Sequence, residues 1–583
     1  MSRRHLSANE LESVTSALAP DLGPLAAVLR AVADLRQPDE RELHKIVRRH
    51  PRPSGRVFSK QELILGLGRF GPELGLDSSD VIDKLRGKPI RTRSGVAPVT
   101  LLTPPHPCPG RCLFCPNDLR MPKSYLSMEP GAQRAAQHAF DPFAQTLSRI
   151  KALETNGHPT DKIELIVLGG TWSSYPIPFQ IGFVTRCFEA LNAVDGSVPA
   201  RGFDPSDELA PDLHIVGRDI GPGHSYNTVI SRLSAPTLEA TWSELAEAHR
   251  ANETATHRSV GLSLETRPDS LSEASVTHLR RLGATKIQLG VESTSDEILE
   301  RNARGHDVAD TRSAFSLLRR AGFKIQAHWM PNLLGATPES DLEDFQRLFA
   351  DEGLRPDELK IYPTVLIESA ELARFAESGE WVPYSDEVLV ELLAEILSRV
   401  PRYCRVSRVI RDIPAHDVVL GTKTANLREL VEARLRLSGV RSLEIRSREI
   451  GSASAQELSL RATEYRTSVG AELFLEFVTP SDDLAGFLRL FLPRADSFIS
   501  ELGGAAIIRE VHVYGPVVSL GAKDPRKTQH AGVGRALVAE ARNRAEAAGF
   551  WKLSVISAVG TRPYYRGLGF EDGELYQHVR SGA

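Results

Sequence analysis

Between Val99 and Thr364 the sequence alternates six times between short strand-forming runs and longer helical stretches. That order implies a parallel sheet or partial barrel wrapped by helices. The strand segments are 99–103 (VTLLT), 162–168 (KIELIVL), 259–265 (SVGLSLE), 286–292 (KIQLGVE), 324–330 (KIQAHWM) and 358–364 (ELKIYPT). Strands of a helix-covered parallel sheet are ordinarily apolar on both faces, and several of these are not. Ile287, Leu289 and Val291 alternate with Gln288, Gly290 and Glu292; Val260, Leu262 and Leu264 alternate with Gly261, Ser263 and Glu265. Ile325, Ala327 and Trp329 oppose Gln326, His328 and Met330, and Lys360 and Tyr362 continue the polar series. With the apolar sets under an outer ring of helices, the polar sets converge inside an open barrel and line a cavity. The alternative is a closed network of interior hydrogen bonds. Sites on such folds are built at the carboxyl ends of strands, which singles out Glu265, Glu292 and the Gly169-Gly170-Thr171 turn.

The chain has 583 residues, too many for one core, and divides by pattern into four parts. Residues 1–97 read as short helices broken by prolines, 98–400 as the alternating domain, 401–450 as a linker with a helix (NLRELVEARLRLSG) closed by Gly439, and 451–583 as a second domain. The segment from Asp195 to Ala235 is rich in Gly, Pro and Ser and reads as an insertion. The last part runs as an antiparallel meander followed by a helix (GVGRALVAEARNRAEAAG) and a strand (WKLSVISA). No stretch of about 18 apolar residues offers a membrane span, and no apolar run follows the basic start, so the chain is expected in the cytoplasm without a membrane partner. The net charge of -4 gives no global attraction to nucleic acid. Locally, Arg41 to Arg93 holds thirteen Lys or Arg against six Asp or Glu, which is either a solvated helical surface or an electrostatic footprint for phosphates.

Three of the five cysteines, Cys108, Cys112 and Cys115, fall within HPCPGRCLFCP. A structural zinc needs a fourth ligand, for which His106 is the nearby candidate. A 4Fe-4S cluster accepts Cys ligation at each iron, and three thiolates leave one iron open. Cys187 and Cys404 lie far from this group and read as buried, inert thiols. The C-x3-C-x2-C spacing, with Phe114 before the last cysteine, resembles that of the radical S-adenosylmethionine (SAM) enzymes, whose Gly-Gly motif is similar to Gly169-Gly170-Thr171. The resemblance implies a partial parallel (β/α)6 barrel, a 4Fe-4S cluster on the three cysteines, SAM as cofactor and an external electron donor.

Near the other end, Gln529-His530-Ala531-Gly532-Val533-Gly534 opens a helix, where glycines let backbone amides approach a pyrophosphate. Alone, such a loop is as well read as a tight turn. With the meander before it and TRPYYRGLGFE after it, the segment resembles a GNAT-type α+β acetyltransferase domain. That likeness implies acetyl-CoA on the glycine loop and a tyrosine, Tyr564 or Tyr565, as proton donor to the departing thiolate; aromatic packing is the other reading of the pair.

The two halves together, with ETRPD, LGVES, RGHDV, KIYPT, NLRELVEAR, REVHVYG and KTQHAGVGRAL in order, resemble the Elongator catalytic-subunit family in its prokaryotic single-protein form. Glu292 stands where many members have Gln. The resemblance implies a tRNA-modifying acyltransferase: a SAM-derived 5'-deoxyadenosyl radical takes hydrogen from acetyl-CoA, the acetyl group joins carbon 5 of the wobble uridine in the anticodon stem-loop, and hydrolysis leaves 5-carboxymethyluridine. Glu265, Gln288 and Glu292 are then expected on the cofactor, His328 and Lys360 at the reaction, and the basic N-terminal helices on tRNA. A homodimer is compatible with this reading. Two other readings are a protein lysine acetyltransferase with a structural cluster and a catalytically silent tRNA-binding scaffold.

Overall fold

The computed structural model describes residues 17–36, 39–87, 95–193, 226–231, 238–450, 457–514 and 532–580. The six strand segments pair side by side, all parallel: β1 (Ala97–Leu102), β2 (Lys162–Leu168), β3 (Arg258–Thr266), β4 (Lys286–Glu292), β5 (Lys324–Trp329) and β6 (Glu358–Ile361). A two-residue ribbon strand, β7 (Leu366–Ile367), follows, and then β8 (Arg405–Arg408) adds a seventh member beyond β6. The sequence pattern missed β8 because four residues, Arg-Val-Ser-Arg, are too short and too polar to stand out from a linker. β9 (Val418–Leu420) pairs back with β7.

The outward residues Val99, Leu165, Leu264, Ile287, Leu289, Ile325 and Leu359 are buried against a ring of helices that supplies Phe183, Phe315 and Phe345. Burying each such side chain stabilises the fold by about 1.5–3 kcal/mol. The helices start where the sequence supplies caps: Asp307 and Asp310 form a capping box for Val308–Arg320, and Thr337 and Ser340 do so for Pro338–Ala350. Val260 departs from expectation. A register shift between Ile163 and Glu164 of β2 inserts an extra residue in β3, which turns Val260 to the cavity with Gly261.

The second sheet has the order β10 (Ser459–Thr467), β11 (Gly470–Val478), β12 (Leu484–Pro493), β13 (Ala505–Val513), β14 (Lys552–Val555), β16 (Gln577–Arg580), β15 (Glu571–Asp572). All its pairs are antiparallel except β13 with β14. Leu475, Leu488, Ile508 and Leu553 pack under Leu537, Val538 and Ala541 of the helix Val533–Ala547. The N-terminal helices Leu22–Ala33, Glu40–Arg49, Lys60–Leu74 and Ser78–Leu85 close a small core of their own around Leu25, Leu29, Leu43, Leu63 and Leu67. The expected insertion lies outside the described residues apart from the short helix Tyr226–Ile230. No helix among the described residues is long and apolar enough to cross a membrane.

The two sheets meet through charges. Asp357, just before β6, pairs with Arg509 of β13 and, at 3.4 Å, with Arg489 of β12. Arg509 also reaches Glu472 of β11 at 2.6 Å, and Glu472 is 3.1 Å from Arg319 on the barrel helix Val308–Arg320. Lys324 of β5 bonds Glu510 of β13 at 2.5 Å. Neutral contacts extend the seam, with Tyr576 donating to the Ala321 carbonyl at 2.7 Å and Arg280 to the Ser557 carbonyl at 2.8 Å.

Removing one partner of a buried pair leaves the other charge uncompensated, so Asp357→Ala is expected to cost about 3–5 kcal/mol, read as a lower urea midpoint. The arginines hold the Asp357 carboxyl below its ordinary value of 3.8 against the effect of burial. A carboxyl lowered in the folded state stabilises it above the unfolded value and loses that contribution as pH falls through the lowered one. The midpoint of the unsubstituted chain should therefore drop steeply below pH 3.8, with a shallower drop for Asp357→Asn. Equal acid slopes would contradict this.

Candidate functional site

The segment from Thr103 to Glu129 leaves the end of β1 without helix or strand, and its prolines at 104, 105, 107, 109, 116 and 122 disfavour both. Cys112 and Cys115 are buried, Cys108 is half-buried, and all three thiols are free. Cys108 Sγ lies 3.4 Å from Thr171 Oγ1, and Cys115 Sγ lies 3.1 Å from Ser124 Oγ. Cys112 Sγ accepts from Arg304 Nη1 at 3.0 Å, with Arg267 Nη1 at 4.0 Å. The Cys115 contact, and then the two arginines, hold the Cys112 thiol well below its ordinary range. Three free thiols on one turn, one already biased toward thiolate by buried cations, fit the donor set of an iron–sulfur cluster.

His106 does not behave as a fourth ligand. Its Nε2 bonds the Ser174 carbonyl at 2.9 Å and its ring stacks on Tyr175 at 4.4 Å. Among the described residues no three His, Cys, Asp or Glu side chains converge as a single-ion site requires.

β2 runs directly into Gly169-Gly170-Thr171. A side chain on Gly169 (φ 154°) would place its Cβ 1.7 Å from Thr103 Oγ1, and one on Gly170 (φ 76°) would lie 3.2 Å from the Lys123 carbonyl. Both positions need glycine. Tyr175 ties the turn to the cysteine loop, its hydroxyl 2.7 Å from Thr103 Oγ1 and from the Pro104 carbonyl.

Inside the barrel the polar faces surround a cavity of about 880 Å³. Phe114 and Cys115 line it at the cysteine loop; Glu265, Gln288, Glu292, His328 and Lys360 line its wall. The two sequence readings of these residues are both realised: a network exists, and it borders open space. Gln288 donates to Ser263 Oγ at 2.9 Å, and its Oε1 accepts from Lys360 Nζ and lies 3.4 Å from His328 Nε2. Glu265 accepts from the Tyr125 hydroxyl at 3.1 Å. Burial, aided by Arg408 and Lys286 and opposed by Glu265, lowers Lys360 to about 7. Burial and the neighbouring Lys360 keep His328 neutral, well below its ordinary range. Burial raises Glu292 to about 7 against the pull of Arg304.

The same cavity continues into the second sheet. β13 pairs with β14 only over Ala505 to Ile508; from there on, Glu510, Val511 and His512 of β13 with Tyr514 just past it, and Val555 at the end of β14 with Ile556 and Ser557 after it, line the opening. Tyr565 reaches this end of the cavity from the short helix Arg562–Arg566. Tyr564 does not: it is 45% exposed, and its hydroxyl stands 3.0 Å from where a Cβ on Gly534 would lie. Gly532 (φ 79°) caps the helix that begins at Val533. The tyrosine pair is thus divided between the cavity and the glycine turn. Gln529 and His530 lie outside the described residues.

Sequence reasoning passed over Arg267, Arg304, Arg408 and Arg411. Arg267 directly follows β3, where a strand end should have drawn attention, and Arg304 sits in the loop after the short helix Asp296–Arg301 that follows β4. The last two belong to or follow β8, the unrecognised strand. Arg411 covers the Tyr125 ring at 4.8 Å and pairs with Glu129 at 2.7 Å.

Residues 356–437 match the family described as the Radical_SAM C-terminal domain. The chain is 37% identical over 499 residues to the tRNA uridine(34) acetyltransferase of Dehalococcoides mccartyi, covering 84% of this chain and 99% of that one. It is 36% identical over 511 residues to Elongator complex protein 3 of Danio rerio, covering 84% and 85%. Among solved structures it is similar to the archaeal Methanocaldococcus infernus Elp3 with an N-terminal deletion, at 33% identity and a TM-score of 0.66, covering 83% of this chain and 99% of that one.

The Lys360 environment has a direct consequence. Its ammonium should titrate near 7, where an exposed lysine titrates near 10.5, as read from the pH-dependent NMR shift of its Nζ lost in Lys360→Met. Between those values the unfolded chain holds a proton that the folded chain lacks, so stability rises with pH across the window. A midpoint near 10.5 would show that the cavity does not desolvate this group.

Proposed function

The chain belongs to the family of the Elongator catalytic subunit and the tRNA uridine(34) acetyltransferases, and from that premise we propose that it converts the wobble uridine of tRNA to 5-carboxymethyluridine with SAM and acetyl-CoA. The observation that carries this reading is the single cavity running from Cys115 to Tyr565. Two reactive ends open onto one space in which a splayed nucleotide can be held.

Cys108, Cys112 and Cys115 would hold the cluster, which with SAM would supply radical chemistry for hydrogen abstraction. Gly169 and Gly170, packed against Thr103 and Lys123, set the turn beside the cysteine loop where the SAM amino-acid end would lie, and Glu265, Gln288 and Glu292 offer acceptors to its remaining polar atoms. Gly532, Val533 and Gly534 open a helix whose amides favour the pyrophosphate of acetyl-CoA, with Gln529 and His530 just before them in sequence and Tyr564 beside the turn. Tyr565, with its hydroxyl pushed up by burial, keeps its proton until a thiolate needs it.

Restoring the uridine double bond after the acetyl carbon adds to carbon 5 requires loss of one electron, which the oxidised cluster held by the cysteines would accept, and a base for the proton on carbon 5. Lys360, uncharged in part at neutral pH, is that base, and neutral His328 holds the Gln288 carbonyl that orients it. The electron donor is external, and the setting is the cytoplasm, where tRNA is found. Arg41, Lys45, Arg48 and Arg49 are exposed on the helix Glu40–Arg49 and have no ion pair among the described residues; they contact the tRNA backbone.

Anaerobic reconstitution should give 5'-deoxyadenosine and modified anticodon nucleoside only with tRNA, SAM and acetyl-CoA together, and Cys112→Ser should abolish both. Lys360→Met should lower kcat by about 10²–10⁴-fold, the usual weight of a general base. Acetylation of lysine without SAM would instead support a protein acetyltransferase. In tRNA binding, Lys45→Ala and Arg48→Ala should each reduce the slope of log affinity against log salt by about 1; unchanged slopes would remove this helix from the interface.

A further inference from the structure

The three cysteines do not share one electrostatic environment. Cys108 and Cys115 face hydroxyl groups, whereas Cys112 faces two guanidinium groups. The nearer one, Arg304, is 5% exposed and donates to the Cys112 sulfur at 3.0 Å. Arg267 is farther away, and Asp269 grips it through two bonds of 2.9 and 2.8 Å that balance its charge locally. Arg304 has a different counterion. Its second nitrogen bonds the Gly290 carbonyl and lies 3.5 Å from Glu292 Oε1.

That arrangement is built into the strand. The pairing of β4 with β5 skips a residue between Gly290 and Glu292, and Glu292 has a φ of 66°, so its carboxylate folds back under Gly290. A Cβ on Gly290 would lie 2.8 Å from Glu292 Oε1 and 2.9 Å from Arg304 Nη2. A side chain there would push the two ends of the pair aside. A non-glycine residue at positive φ costs about 1–3 kcal/mol, and here that strain sets an acid against the cation nearer the Cys112 sulfur.

Resting on the cluster reading above, we propose that Arg304 and Glu292 are opposed positioning charges that set the reduction potential of the cluster held by the cysteine loop. One electron from a low-potential external reductant adds a negative charge to the cluster without making or breaking a bond. A cation hydrogen-bonded to a ligating sulfur stabilises the reduced form and raises the potential; a nearby anion lowers it. In a site this dry, both charges act with little screening. Arg304 therefore raises the potential, and Glu292 holds it below what Arg304 alone would give.

The test is a dithionite titration of the reconstituted full chain without SAM, followed by the EPR signal of the reduced cluster. It is run at alkaline pH, above the value of about 7 to which burial raises the Glu292 carboxyl. Glu292→Gln, which keeps shape and hydrogen bonding, should shift the midpoint upward. Arg304→Gln should shift it downward, and Arg304→Lys should stay close to the unsubstituted chain. Midpoints that do not move, or that move in the same direction for Glu292→Gln and Arg304→Gln, overturn the inference while leaving the cluster in place. Should Arg304→Gln fail to take up iron, the upward shift of Glu292→Gln decides alone. An unsubstituted chain that binds no cluster overturns the functional reading and this inference with it.

Discussion

The contact between Asp357 and Arg509 fixes where the two sheets stand relative to each other, and the shared cavity exists only in that arrangement. Asp357 is held on the barrel side as well, accepting from the Ile325 amide at 2.9 Å, so the carboxylate cannot follow Arg509 if the second sheet slides. Arg489, Glu472 and Arg319 complete a buried set in which each charge has one good place. Apolar surfaces tolerate small displacements, but a buried charge moved off its partner loses several kcal/mol. The seam thereby holds the divergence of β13 and β14 opposite the mouth of the barrel.

Burial has different results according to how closely opposite charges surround each group. At the seam, the arginines around Asp357 outweigh desolvation and hold its carboxyl below the ordinary range, whereas burial prevails at Glu472 and raises it. Along the cavity, partners are fewer or neutral, and desolvation wins: Lys360 falls, His328 falls and Glu292 rises. Asp357 keeps a fixed charge for positioning, and Lys360 and Glu292 in the cavity keep protons that can move near neutral pH. Such a division is what acid–base work in a sheltered space requires.

Much of the barrel was legible in the sequence because alternation of period two in a parallel strand has few explanations. Gln288, His328 and Lys360 could be placed inside from their neighbours Ile287, Trp329 and Leu359 alone. The cysteine spacing and the Gly169-Gly170 turn were legible because each demands a rare residue type at a fixed place. What escaped notice depends on tertiary context. β8 has no strand pattern of its own and exists because β6 offers a free edge. The bulge that turns Val260 inward leaves no mark in composition. Arg304 and Arg267 look like ordinary surface arginines until the fold sets them against Cys112. The seam was hidden too, since Asp357, Glu472 and Arg509 become partners only across 152 and 37 residues of sequence.

The central claim is that both ends of the cavity act on one molecule in one space. Incubating the reconstituted chain with tRNA, SAM and acetyl-CoA deuterated on its methyl group tests it in a single mass spectrum. Deuterium recovered in 5'-deoxyadenosine, and only when tRNA is present, is the result this arrangement requires. Product formed alongside 5'-deoxyadenosine free of deuterium would mean that the acetyl group and the radical source never meet, and the shared cavity would lose its functional meaning.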